Sequence, residues 1–86
     1  MELNETIKLM NSKDYKDRFR AEYYQLKIRY EKLHKMVVKY EAEKLKFTPS
    51  CTLELLKEQK SHMGRYLYCL EVRAEIEEIE VGLKLK

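Results

Sequence analysis

Four residue types that often direct the reading of a short chain are nearly missing here. The 86 residues include two cysteines, two glycines, one proline and no tryptophan. Cys51 and Cys69 are too few for a disulfide framework. They are expected as reduced thiols, packing or capping, in a cytoplasmic protein. Together with His34 and His62 they match no zinc-ligand spacing, so no metal site is expected. The scarcity of Gly and Pro argues against a disordered or low-complexity chain. No membrane-length apolar run and no secretory leader is read, so no membrane partner is expected. The sequence has no Gly-rich phosphate loop, no HExxH-like pair and no arguable nucleophile–base order. The protein is therefore expected not to be an enzyme and to carry no cofactor.

What the chain has in quantity is charge (38% of residues) and apolar residues at helical spacing. A short helix is read at "NETIKLM", with Asn4 as N-cap and Asn11-Ser12 as its end. Ser12 is expected to cap a long helix from about Lys13 to Leu45. Phe19, Tyr23, Leu26, Tyr30, Leu33, Val37 and Tyr40 alternate four- and three-residue steps along it, the seam of a coiled-coil-like helix. Its expected length is about 50 Å. Pro49 in "KFTPSCT" marks the break, and Ser50 or Cys51 is expected to cap a second helix from about Thr52 to Glu80. Leu56, Met63, Leu67, Leu70 and Ala74 form its stripe, with Lys60 intruding. Val72, Ile76 and Ile79 suggest a displaced stripe. Gly64 weakens the helix interior and leaves room for close approach. Gly82 is a natural stop, with a loose tail after it.

These readings give an all-α fold: an antiparallel hairpin of long helices with a short N-terminal helix, assembling into an oligomeric helical bundle. The divisions are a 1–12 arm, a 13–82 hairpin and an 83–86 tail. Oligomerisation is expected because Ile28, Met36, Val38, Leu53, Leu55, Ile76 and Ile79 exceed what one hairpin interface covers.

The net charge of +3 is small, but it is unevenly spread. Residues 12–46 hold eleven Lys and Arg against six Asp and Glu, whereas 71–80 hold five Glu against Arg73 alone. Tyr15, Lys16, Arg18 and Arg20 fall in the first two turns of the first long helix. Free N–H groups and the positive dipole end favour an anion there. A tyrosine ring stacks on a base, and guanidinium grips phosphate at two points. The plainer reading packs Tyr15 on the N-terminal arm and pairs Arg18 with Glu22. Gln59, Tyr66 and Arg73 recur every seven residues, and with Arg29 they form either a polar rim or the wall of an inter-subunit pocket. Tyr23, Tyr30 and Tyr40 are read as core. Glu71, Glu75 and Glu78 are read as one acidic helix face, which suits either solvation or phosphate mimicry against a basic groove.

The segments "SKDYKDRFRAEYYQLKIRY", "FTPSC" and "LLKEQKSHMGRYLYCLEVRAEIE" resemble small proteins of crAss-like phages and gut-bacterial prophages. The shared elements are D-Y-x-x-R-F, A-E-Y, Q-x-x-x-M-x-x-Y and L-E-x-R-A, with Thr52 where a proline is expected at the first helical position. That resemblance implies a phage or prophage accessory role. In architecture the chain is also similar to the helical-hairpin sponges that counter CBASS and Thoeris defence. That likeness implies a homo-oligomer in the host cytoplasm that sequesters a cyclic-oligonucleotide or ADP-ribose-derived immune signal. In those proteins an aromatic near the N-terminus works with basic residues of a neighbouring subunit, as Tyr15 would with Lys16, Arg18 and Arg20. The rivals are an anti-CRISPR-like inhibitor that binds a host defence protein through its acidic face, and a structural hairpin. Sequence-specific nucleic-acid binding is not expected.

Overall fold

The computed structural model describes residues 1–82, and the tail expected over 83–86 lies outside the described residues. A 3-10 turn (Leu3–Thr6) leads into α1 (Ile7–Met10), followed by the long helices α2 (Tyr15–Glu41) and α3 (Leu53–Glu77). The described residues contain no strand. The fold is all-α, and α2 packs along α3 as a hairpin. Three cross-helix pairs fix its direction. Tyr15 meets Arg73, Glu22 meets Tyr66, and Glu41 meets Lys57. One number rises as the other falls, so the helices are antiparallel.

Local chemistry sets each helix end, and it differs from the expected ends. The 3-10 turn starts at Leu3, and the Glu2 N–H donates to Glu5 Oε1 at 2.8 Å, so Asn4 is not the cap. Asp14, not Ser12, caps α2 by accepting the Lys16 N–H at 2.9 Å. Ser12 supports the cap from outside. Its Oγ accepts the Asp14 N–H and donates to Asp17 Oδ2. Thr52, not Ser50 or Cys51, caps α3 by accepting the Leu55 N–H at 3.2 Å. Thr52 thus stands just before the first helical position, where its hydroxyl is useful and a proline would have none.

Both long helices stop earlier than their patterns suggested, and for one reason. Glu43 (φ 59°) and Glu78 (φ 56°) adopt left-handed backbone. Lys44 N–H then reaches Lys39 O at 2.8 Å, and Ile79 N–H reaches Ala74 O at 2.9 Å, the long bonds of Schellman closures. α2 therefore ends at Glu41 and has 27 residues, about 40 Å rather than 50 Å. α3 ends at Glu77, so Ile79 is not part of a displaced helical stripe. Ile79 and Val81 turn back and are buried, while Val72 and Ile76 stay exposed. Gly82, at φ +72°, lies beyond the helix rather than ending it, with the Tyr24 hydroxyl 3.3 Å from where a Cβ would stand.

The core sits at one end. Phe19, Tyr23 and Leu26 of α2 pack with Leu70 and Ala74 of α3 and with Ile79 and Val81. Tyr24, Met63 and Leu67 flank this cluster. Truncating Leu70, 2% exposed, would cost about 2–5 kcal/mol. Toward the connecting loop, only Val37 and Leu56 are buried. The N-terminal arm covers another face of α2, over buried Ala21. Thr6 is buried there, where its hydroxyl donates to Leu3 O and accepts from Gln25 Nε2.

Cys51 and Cys69 are both exposed free thiols, so neither packs nor caps as expected.

Candidate functional site

Steps of seven residues return a helix to nearly the same face. Tyr15, Glu22 and Arg29 therefore share one face of α2, and Gln59, Tyr66 and Arg73 share one face of α3. The antiparallel register lays these lines side by side. Arg73 Nη2 donates to the Tyr15 hydroxyl at 3.3 Å and the Tyr66 hydroxyl donates to Glu22 Oε2, but farther along Tyr30 packs on Gly64, so Arg29 is not brought level with Gln59. Tyr15, Arg18, Phe19, Glu22 and Arg73 line a cleft of about 260 Å³. The Arg73 guanidinium lies 4.8 Å from the centroid of the Phe19 ring.

Tyr15, Arg18, Tyr66 and Arg73 of the expected site are thus brought together, from both ends of the sequence. Their polar groups are engaged within the chain. Arg73 Nε donates to Glu77 at 2.9 Å, and Arg18 Nη1 donates to Ser12 O at 2.8 Å rather than pairing with Glu22. Tyr15 meets Arg73. Lys16 and Arg29 are exposed. Arg20 stands about 140° around α2 from Tyr15. Its guanidinium joins Asp17 Oδ1 at 2.9 Å and the Glu80 carbonyl at 2.6 Å, tying the returning chain to α2. The acidic stretch is also not one face, because Glu77 pairs with Arg73 and Glu78 leaves the helix in left-handed backbone.

A larger groove runs along the hairpin toward the loop, about 770 Å³ in volume, and sequence reasoning missed it. Its walls include Tyr30, Lys60, Ser61, Arg65, Tyr68 and Cys69. The reason for the space is plain. Where α3 faces the Tyr30–Val37 part of α2, it offers Lys60 and Gly64 instead of large apolar side chains. A Cβ on Gly64 would stand 3.3 Å from Tyr30 Cε1, so the ring lies against bare backbone. The His34 ring lies nearly parallel to the Tyr30 ring, 6.3 Å between centroids and 11° between planes. Tyr30 is therefore a groove wall as much as core. The signal in the sequence was the pair of seam-side interruptions, Lys60 and Gly64, four residues apart.

The electrostatics of the groove are uneven. Lys57 Nζ lies 2.9 Å from Glu41 Oε2. The hydrogen bond from Lys57 pulls the Glu41 carboxyl below its ordinary range, and the same bond raises the Lys57 ammonium. That pair neutralises itself. Lys60 and Arg65 have no acidic partner within ion-pair distance among the described residues. Two cations outside any ion pair and two tyrosine rings line one open groove, with the Lys60 charge also felt by Glu41.

Among the described residues, no helix is long and apolar enough to cross a membrane. The protein-family profile described as Sequestin matches residues 13–76, the hairpin without its N-terminal arm. No curated protein and no solved structure matches the chain.

Proposed function

The chain belongs to the Sequestin family, and from that premise we propose that it sequesters a nucleotide immune signal without cleaving it, as a phage-derived anti-defence protein in the host cell. The family's name points to sequestration. The observation that carries the nucleotide part of the reading is the pairing of rings with cations in open clefts between α2 and α3. A base offers a π-face to a tyrosine, and phosphate accepts charge-assisted bonds from Arg and Lys. Holding a ligand this way needs shape and charge but no nucleophile. The ligand class is a cyclic oligonucleotide or an ADP-ribose-derived signal.

The test is direct capture. Purified protein is mixed with cyclic di-AMP, ADP-ribose and cyclic ADP-ribose in turn, filtered, and then denatured. At least one nucleotide should disappear from the filtrate in stoichiometric amount and return intact on denaturation. Return of a cleaved product would replace sequestration by turnover, and no depletion of any of the three would overturn the reading.

A further inference from the structure

We infer that the 770 Å³ groove, and not the smaller cleft at the N-terminal basic cluster, is the receptor site, and that it takes a nucleotide bearing two phosphate groups; this rests on the sequestration reading above. Size is the first ground. Small-molecule sites commonly enclose about 300–1,000 Å³, a range that includes the groove and not the 260 Å³ cleft. Charge is the second. In the cleft, Arg73 is paired with Glu77, Arg18 is bonded to Ser12 O, and Glu22 adds a negative wall. A phosphate entering there would have to displace internal partners. In the groove, Glu41 is bonded to Lys57, and Lys60 and Arg65 are in no ion pair among the described residues, although the Lys60 charge also acts on Glu41.

Geometry is the third ground. Lys60 and Arg65 lie five residues apart, about 140° around α3 and about 7.5 Å along it. Both line the groove from different positions around α3, so each is placed to take its own phosphate. Tyr30 is held by Gly64 and by the His34 stack, which makes it a fixed platform for a base. Tyr68 is 66% exposed on α3 and lines the same groove, so it can close over a second ring or a ribose. The Ser61 hydroxyl adds a neutral donor and acceptor between the two cations.

The two cysteines supply a built-in reporter. Both thiols are exposed, but only Cys69 lines the groove. The experiment measures nucleotide capture and the alkylation rates of Cys69 and Cys51, with cyclic di-AMP, ADP-ribose and inorganic pyrophosphate as probes. A captured nucleotide should slow Cys69 and leave Cys51 unchanged. Arg65→Glu and Tyr68→Ala change exposed residues, so circular dichroism should stay helical. Each should weaken capture about ten- to a hundredfold. Lys8→Ala removes an exposed cation outside the groove and should change nothing. Suppose the parent captures nucleotide but Arg65→Glu and Tyr68→Ala do so equally, with Cys69 unprotected. The groove assignment then falls while sequestration stands, and loss in Arg18→Ala would move the site to the smaller cleft. Protection of Cys69 by pyrophosphate equal to that by the nucleotides would overturn the role of the rings. Failure of the parent to capture cyclic di-AMP, ADP-ribose or cyclic ADP-ribose would remove sequestration itself, and the groove site with it.

Discussion

Tyr23 is fully buried, yet its hydroxyl has no hydrogen-bond partner among the described residues. Burial pushes its pKa up to about 12, and the nearby Glu71 carboxylate adds to the shift. The ionised phenolate is thus disfavoured in the folded chain relative to the unfolded one. Since the folded value is raised, the protonated group's contribution is fully present below pH 10 and is lost as pH rises from 10 through about 12. A shift of this size corresponds to about 2–3 kcal/mol across that window. Tyr23→Phe removes an unpaired polar atom while keeping the ring. It should leave stability at pH 7 unchanged or raise it by about 1 kcal/mol. It should also flatten the alkaline fall, as checked by urea melts at pH 7, 10 and 11.5. A loss above 1 kcal/mol at pH 7 would mean that the hydroxyl has a partner after all.

At the scale of elements, the long helices, their antiparallel pairing and the break at Pro49 were legible from apolar spacing and one proline. The ends were not, because both terminate on a left-handed glutamate, a residue type that carries no stop signal. Periodicity continued past Glu77 through Ile79 and Glu80, and only the need to bury Ile79 and Val81 turns the chain back. The site was half legible. Seven-residue spacing put Tyr66 and Arg73 on one helix face, and Tyr15 meets Arg73 through register, which a single sequence does not reveal. Whether Arg18 or Arg20 was already bonded to backbone carbonyls lay beyond any pattern. The groove was hidden for a different reason: an unfilled volume depends on what stands opposite, and Lys60 looked like a mere intrusion. Left-handed backbone costs a non-glycine residue about 1–2 kcal/mol, and glycine returns part of that to unfolded-state entropy. Glu78→Gly should therefore stabilise the hairpin by up to about 1 kcal/mol, read as a rise in melting temperature. A fall would show that the Glu78 side chain contributes more than its backbone strain costs.

At the scale of the molecule, the hairpin measures 43 × 24 × 23 Å and leaves apolar surface uncovered. Beside Tyr68 of the groove, Val72 and Ile76 continue along α3 at a four-residue step, at 39% and 73% exposure. Such a stripe beside an open groove is the surface a second copy would cover. Light scattering at micromolar concentration should report a multiple of 10.5 kDa. Ile76→Asp should shift it toward the single-chain mass while helicity is kept. A parent protein that scatters as one 10.5 kDa species would remove the oligomer from the proposal.

The placement of the core has a consequence for how the chain finds its fold. A helical hairpin ordinarily gains by zipping from its turn, since residues near the loop are close in sequence and cheap to bring together. Here the loop half contains the groove and only two buried apolar residues, so early zipping is poorly rewarded. The dense packing instead joins the start of α2 to the end of α3, and the Arg20–Glu80 clasp spans 60 residues. Folding must therefore close nearly the whole chain before its main hydrophobic return arrives. Most contacts still lie within the helices, so the helices can form early, and the step that joins the start of α2 to the end of α3 is the one left to complete the core.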